Sequence, residues 1–420
     1  MPNHVTVIGA GIVGAATAVE LLRDGHTVTI VEPGDPGGEQ AASYGNGTLL
    51  NPSSVIPMSS PGLWKKVPGY LADPLGPLAI RWGYMPRLLP WLLRFIRAGW
   101  TVAKVEATAR ALAPLIADAP DLHRALAEEA GVADLIRRSG VLFVFPSRAD
   151  FEAESTSWRI RRDNGTRWIE LTENELRQRE PGLARRYTFA ILVEANAQCI
   201  DPGALVAALV RHAQALGATL RRARVTGLRI EGQKLHAVRT DAGDIACDKA
   251  VIAAGAWSKA LATAAGDAVP LETERGYHAL IQDPGIELRL PVMPSDGKMA
   301  HVMTPQGLRL AGQVELAGLD AAPNWKRAEI LRDFALHTWP GLPRDLPADR
   351  VKFWMGHRPS TPDGLPCIGP ASGCADVVYA FGHGHIGLTA GPATAKLVAD
   401  LIAGRTPRVD PAPYTARRFR

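Results

Sequence analysis

Six residues near the N-terminus, Gly9-Ala10-Gly11-Ile12-Val13-Gly14, have the spacing of a phosphate-cradling turn. Each glycine has a physical job there. Gly9 makes the turn, Gly11 lets the backbone approach a pyrophosphate, and Gly14 lets the following helix lie close on the preceding strand. The first N–H groups of that helix, at Ile12 and Val13, face the phosphates, where unpaired donors and the helix dipole favour negative charge. Glu32 stands eighteen residues after Gly14, where a carboxylate accepts from ribose hydroxyls; a glutamate rather than an arginine there argues against a 2′-phosphate. A lone GxGxxG also serves plain strand-to-helix packing. The strand before it, the helix after it and the acid at the end of the next strand all agree here on a dinucleotide with an ADP half. The spacing does not separate NAD from FAD.

The elements that must hold these residues follow from the apolar pattern. Val5 to Ile8 predicts a strand, Ala15 to Arg23 a helix closed by Gly25, and His26 to Val31 a second strand. A long helical pattern runs from Val105 to Ala130, with a strand at Val141 to Phe145. Asp201-Pro202 reads as an N-cap and first-turn pair opening a helix through Ala215. Further strands are expected at Ala250 to Ala254, Tyr277 to Ile281, His301 to Thr304, Leu308 to Ala311 and Val377 to Phe381. A glycine-dense turn from Gly382 to Gly387 then leads to a helix from Pro392 to Ala403. The strand-helix alternation thus returns in the middle and at the end. It implies an α/β protein: a discontinuous Rossmann-type nucleotide-binding domain in pieces 1–60, 190–260 and 340–420, with 61–189 and 261–339 inserted as an α+β substrate-binding domain.

The composition narrows the class. The 420 residues are 46% hydrophobic and 21% charged, which excludes disordered and fibrous chains. A net charge of +5 on that length does not indicate a nucleic-acid partner. Cys199, Cys247, Cys367 and Cys374 contain no C-x-x-C pair, and no histidine cluster has metal spacing, so neither a metal site nor a disulfide framework is expected. The thiols and the lack of a basic n-region suggest the cytoplasm.

The order of motifs resembles the D-amino-acid oxidase superfamily of FAD-dependent oxidoreductases, in particular its bacterial D-amino-acid dehydrogenase branch. The resemblance spans nearly the whole chain. It is carried by the N-terminal fingerprint with Glu32, Ala42-Ser43-Tyr44-Gly45-Asn46-Gly47, Asp201-Pro202, Val251 to Gly255 and Arg275-Gly276-Tyr277. The run from Gly356-His357-Arg358-Pro359 to Gly369, and Gly382 to Thr389, are its most specific parts. The resemblance implies that FAD is the cofactor, with Gly9, Gly11, Gly14 and Glu32 on the ADP half and Val225 meeting the adenine through its backbone. It places Ser43, Asn46, Gly47, Ala254 and Gly255 beside the flavin nucleotide, and wraps Gly382, His383, Gly384, His385, Ile386, Gly387, Leu388 and Thr389 around the pyrimidine edge. Arg358 would bind the substrate carboxylate.

The implied activity is oxidative deamination of a D-amino acid, D-proline and D-hydroxyproline included, by hydride transfer from Cα to flavin N5. Electrons would pass to a quinone or another non-oxygen acceptor. An oxidase of glycine, sarcosine or another secondary amine, and a flavoprotein subunit of a larger amine dehydrogenase complex, are the alternatives. Two positions depart from alanine-preferring members: His385 after His383-Gly384, and Thr48-Leu49-Leu50 after Gly47.

The same residues have a physical reading. Reduced flavin is anionic along its N1 and O2 edge, and a glycine-dense turn running into a helix N-terminus supplies N–H donors without side chains in the way. Arg358 follows Phe353-Trp354-Met355 and precedes Pro359, at a strand end where a guanidinium grips a carboxylate in bidentate fashion. A structural ion pair with Asp363 is the competing reading. Tyr277 and Tyr44 each offer a hydroxyl to the substrate or merely pack, and His385 is the one histidine expected in the pocket.

Charge is concentrated in one place. Residues 61–104 hold seven cations, Lys65, Lys66, Arg81, Arg87, Arg94, Arg97 and Lys104, against Asp73 alone, together with Trp64, Trp82, Trp91 and Trp100. After Pro90 the pattern predicts a helix with Arg94, Arg97, Thr101 and Lys104 on one face and Trp91, Leu92, Phe95 and Val102 on another. That arrangement suits peripheral contact with an anionic membrane, at the inner face of the cytoplasmic membrane, and equally suits a core helix with a solvated side.

Overall fold

The computed structural model of the protein describes residues 2–63, 69, 76 and 78–420. Trp64, Lys65, Lys66 and Asp73 of the basic segment lie outside the described residues. The first sheet has six strands in the order Thr219–Arg221, Thr27–Val31, His4–Ile8, Lys249–Ile252, Val377–Phe381, Cys367–Pro370. The first five are parallel and the last is antiparallel. The central strands read Val-Thr-Val-Ile and Lys-Ala-Val-Ile because layers cover both faces of the sheet. On one side lie the helices Ile12–Arg23, Pro202–Ala215 and Gly387–Ala403, and on the other the three-stranded meander Val225–Glu231, Lys234–Thr240, Ile245–Ala246. Ala15, Ala16 and Ala18 are fully buried, so helix Ile12–Arg23 sits tightly among its neighbours.

The second sheet is larger and mixed, with nine strands. It runs Val351–Ser360, Glu272–Ile281, Gly307–Leu316, Ala300–Thr304, Val292–Pro294, Val141–Phe145, Phe189–Val193, Ile169–Leu171, while Leu78–Ile80 joins the side of Gly307–Leu316. The pair of sheets matches the expected nucleotide-binding α/β layer beside an α+β domain. Two joins shift from the segment limits expected. Phe189–Val193 and Val351–Ser360 pair into the large sheet rather than the nucleotide-binding one, because an apolar run does not encode which sheet it joins. Helices Val102–Ile116 and Ala119–Glu129 bury Val105, Ala109, Leu112 and Leu126 in the nucleotide-binding core.

Prolines reset three helices. The Val105 to Ala130 pattern breaks at Ala117 and Asp118, because Pro120 has no N–H for the carbonyl of Ile116 and opens the first turn of a new helix instead. The helix expected after Pro90 starts earlier, at Met85, with Pro86 in its first turn, and ends at Ala98. Thr101 is then the N-cap of the next helix, its hydroxyl accepting from Lys104 N, so Arg94 and Lys104 do not share one helix face. The last helix begins at Gly387 and runs through Pro392.

Candidate active site

A cavity of about 760 Å³ runs from the fingerprint turn, past the 41–47 loop and the 383–389 turn, to the strand carrying Arg358. At its first end Gly9 has φ +101°, and a Cβ there would lie 2.6 Å from the Ala253 carbonyl oxygen. At Gly14 a Cβ would lie 1.9 Å from the Gly9 oxygen. Both glycines are thus sterically required. Gly11 would meet Ser43 Oγ at 3.5 Å, so its smallness instead leaves backbone open toward the cavity. Gly9, Gly11, Ile12, Val13 and Glu32 line the wall, whereas Gly14 lies behind it between helix and strand. The Glu32 carboxylate accepts from Ala10 N at 2.8 Å and Gly34 N at 3.2 Å, which aims it across the mouth of the turn. Val225, Ala254 and Gly255 line the same end.

The middle of the cavity is walled by two backbone segments. Ser43 Oγ accepts from Ile12 N at 3.1 Å, and Asn46 Oδ1 accepts from Thr48 N at 2.9 Å. Thr48 has φ +64°, a strained conformation for a β-branched residue, and its backbone holds the loop to Cys199 N. Ser43, Asn46 and Gly47 line the cavity. Arg309, which sequence reasoning did not single out, donates from Nη1 to the carbonyls of both Tyr44 and Asn46 at 3.1 Å. Opposite, Gly382 and Gly384 take φ +85° and +53°, and the chain enters helix Gly387–Ala403, whose first-turn residues Gly387, Leu388 and Thr389 line the cavity. Gly382 and Ile386 line a small void next to it, shared with His383, Gly384 and His385.

The histidines divide by environment. His383 is buried with Nε2 on Thr394 Oγ1 at 3.0 Å, and burial holds it neutral, its pKa pulled down to about 3. The His385 ring opens onto the cavity while protein surrounds its other sides; burial and then the nearby Arg358 charge pull it down to about 4. It is neutral at pH 7.

Arg358 lies at the far end on strand Val351–Ser360, opposite Glu274 of strand Glu272–Ile281. Its Nη1 donates to Gln313 O at 2.8 Å and its Nη2 to Gly312 O at 3.2 Å. Gln313 sits at an irregularity in the pairing of Gly307–Leu316 with Glu272–Ile281, with φ +60°, which turns its carbonyl toward the guanidinium. Gly276 makes room: a Cβ there would lie 2.2 Å from Arg358 Cζ. Asp363 is taken by Arg418, whose Nε donates at 2.7 Å, so the competing pair with Arg358 does not form. Among the described residues no carboxylate lies in salt-bridge contact with Arg358. Burial pulls the guanidinium's pKa below its ordinary value and Glu274 opposes that.

The two tyrosines are otherwise engaged. Tyr277 lines the cavity, but its hydroxyl donates to Glu315 Oε2 at 2.5 Å and accepts from Asn324 N. Glu315 also binds Arg275 and Arg81, and burial plus that carboxylate push Tyr277 up to about 12. Tyr44 does not line the cavity: its hydroxyl donates to Glu39, and its ring packs at an angle on His278 and Trp354. The expectation that either hydroxyl meets substrate is corrected by these partners. Glu274, by contrast, went unremarked in the sequence, where nothing separates it from Glu272 and Arg275 of the same strand as the one acid facing a cavity.

The dimensions suit FAD: an ADP-type cradle at one end, a channel between two backbone walls, and helix N-terminal donors where a flavin edge would lie. A family model described as DAO, FAD dependent oxidoreductase, matches residues 4–401. The chain belongs to this family. The D-amino-acid oxidase of Bradyrhizobium diazoefficiens is 58% identical over 417 residues, 99% of each chain. The D-amino acid dehydrogenase 2 of Ralstonia nicotianae is 33% identical, over 99% of this chain and 100% of its own. In architecture it is similar to glycine oxidase from Geobacillus kaustophilus (TM-score 0.73, 24% identity, 99% and 98% of the two chains) and to L-proline dehydrogenase from P. horikoshii (TM-score 0.74, 21% identity, 100% and 98%). This member of the DAO family is an FAD-dependent oxidoreductase of the D-amino-acid oxidase and dehydrogenase type.

Proposed function

We propose that this DAO-family enzyme oxidises D-amino acids held by their carboxylate on Arg358. The observation that carries this reading is a half-buried guanidinium lining the cavity whose hydrogen-bond partners among the described residues are two backbone carbonyls. A desolvated cation is costly unless an anion completes it, and a carboxylate fits the planar fork. Bound FAD supplies the acceptor for the electron pair of the breaking Cα–H bond. The residues of the chain do the rest: Gly312 and Gln313 fix the plane of the guanidinium, Gly276 gives it room, and neutral His385 adds no charge to compete for the carboxylate. Holding the carboxylate in one plane limits the orientations in which a Cα hydrogen can face the flavin channel. The imino acid formed hydrolyses in water to a keto acid, or remains a cyclic imine when the substrate is D-proline or D-hydroxyproline. A panel of D-amino acids, their L-enantiomers, glycine and sarcosine, scored by anaerobic bleaching of the yellow enzyme, tests this. No bleaching by any D-amino acid would sink it.

For the electron acceptor we propose a quinone or equivalent carrier reached at the inner face of the cytoplasmic membrane. Supporting this is the outer face of helix Met85–Ala98 and its flanks, where Trp82, Leu89, Leu93 and Trp100 are 69%, 46%, 59% and 57% exposed beside exposed Arg87, Arg94 and Arg97. Large apolar side chains grouped with cations suit an anionic lipid surface. Stoichiometric hydrogen peroxide during turnover in air would make the enzyme an oxidase instead.

A further inference from the structure

Arg358 and Glu274 are register partners on neighbouring antiparallel strands, so their side chains stand on the same face of the sheet. Both line the flavin-side cavity, and Glu274 is 5% exposed. They do not form a direct ion pair. The guanidinium is turned onto the carbonyls of Gly312 and Gln313, and the Ser360 side chain stands near the carboxylate. A half-buried cation and a buried anion thus sit side by side, each incompletely matched, at the wall of one chamber. A buried charge demands a partner.

We infer that Glu274 is the amine-binding residue of this chamber, receiving the substrate ammonium group while Arg358 holds the carboxylate, and taking up the proton that the ammonium must lose. This rests on the carboxylate-clamp reading above. An α-amino acid carries its two charges on adjacent atoms of one carbon, which matches two opposite charges on neighbouring strands. The proton step is simple: an N–H bond of the ammonium breaks, an O–H bond forms on Glu274, and no electrons change hands. The neutral amine then has the lone pair that the Cα–H cleavage of the proposed reaction requires.

The surroundings favour a proton acceptor at this spot. On its own strand Glu272 is held by the Tyr84 hydroxyl at 2.9 Å; on the neighbouring strand stand Arg358 and Ser360; across the void stand His383, bound to Thr394, and His385, both neutral at pH 7. Burial first, and Glu272 as well, raise the Glu274 pKa above the usual carboxylate range, while Arg358 and Ser360 oppose the rise. A carboxylate moved upward is a better base for an ammonium proton.

The test compares Glu274→Gln, Glu274→Asp and Arg358→Met holoenzymes. Binding is read without turnover, by the shift in melting temperature and in the visible flavin spectrum on adding propionate, which lacks an amine, or a poorly oxidised amino acid. Glu274→Gln is expected to bind propionate as the wild type does and to bind the amino acid about tenfold or more weakly, in keeping with the loss of a charged hydrogen bond. Its kcat/KM should rise about tenfold per pH unit toward the amine's own pKa, since solvent must now remove the proton. Glu274→Asp should restore the wild-type profile in part. Unchanged amino-acid binding and an unchanged pH profile in Glu274→Gln would overturn the inference while leaving the clamp intact. Propionate binding that survives Arg358→Met would instead overturn the clamp, and this inference with it.

Discussion

His123 Nε2 donates to the carbonyl of Leu388 at 2.7 Å, and it is the carbonyl that Pro392 cannot serve. In helix Gly387–Ala403 the Leu388 oxygen should accept from the N–H of residue 392, which proline lacks. A fully buried imidazole from helix Ala119–Glu129 fills the gap, and so ties the turn that lines the flavin channel to a helix far away in sequence. His123→Phe should therefore cost about 1–3 kcal/mol by leaving a buried carbonyl unpaired. Denaturant unfolding of the holoenzyme checks it; a midpoint within error of wild type would mean that water reaches Leu388.

The buried histidines give the stability a pH slope. Burial lowers His123 to about 4 and His301 and His383 to about 3, below the ordinary value of 6.5. The unfolded chain thus binds protons that the folded chain refuses once the pH falls below 6.5. Stability is full above that value and falls as the pH drops toward 4, by roughly 1.4 kcal/mol per pH unit for each such histidine. Melting temperatures measured from pH 7.5 to 4.5 should fall steeply below 6.5, and His383→Asn should flatten the fall. A flat profile would show that the rings are protonated in the fold.

Gly276 offers a way to disturb the Arg358 clamp without touching it. The added methyl of Gly276→Ala would overlap the guanidinium and displace it. The expected result is a fall in kcat/KM of about tenfold to a hundredfold, mostly in KM, with FAD content unchanged. Arg358→Met should cost more, on the order of a hundredfold to a thousandfold, through two charge-assisted hydrogen bonds. Gly276→Ala at wild-type KM would place the substrate carboxylate elsewhere.

Arg309 should matter to the cofactor rather than to the substrate. It is 2% exposed and braces the carbonyls of Tyr44 and Asn46, so Arg309→Leu leaves two loop carbonyls unpaired beside the flavin channel. We expect an FAD dissociation constant roughly tenfold higher, read by flavin fluorescence on dilution, with KM little changed in the saturated enzyme. Unaltered retention of FAD would show that Thr48 and Ser43 hold the loop unaided.

The fingerprint, Glu32 and the helix opened by Asp201-Pro202 were legible because local chemistry determines them: glycines for a turn, an acid at a strand end, a cap beside a proline. Asp201 indeed accepts from Ala204 N at 2.9 Å. What stayed hidden depends on pairing across the chain. Nothing near Tyr44 in sequence says that its hydroxyl turns to Glu39, nor near Tyr277 that Glu315, thirty-eight residues on, claims it. Glu274 reads as one more charge in a strand until register sets it against Arg358. Prolines misled in a simpler way: the pattern predicts helices beginning after Pro90 and at Pro392, yet both prolines lie inside helices that begin earlier, at Met85 and Gly387, and at Pro392 the orphaned Leu388 carbonyl is served by His123.

The basic segment is where sequence and structure pose the same question most sharply. No acidic residue occurs from 78 to 104, and the exposed apolar side chains of helix Met85–Ala98 lie among Arg87, Arg94 and Arg97. The inner side of the helix touches the site: Phe95 lines the void beside His385, and half-exposed Met58 lines both void and cavity. A lipid-soluble acceptor arriving on the outer face would therefore be close to the flavin channel. Vesicles of phosphatidylglycerol and phosphatidylcholine should pellet the enzyme at low ionic strength and release it at high salt. Leu93→Glu should weaken binding about tenfold or more, and Arg94→Glu with Arg97→Glu should do so in the anionic vesicles alone, at about 1 kcal/mol or more for each cation lost. Bleaching by D-amino acids should survive these changes while quinone reduction on vesicles falls. An enzyme that stays in the supernatant at low salt has no such surface.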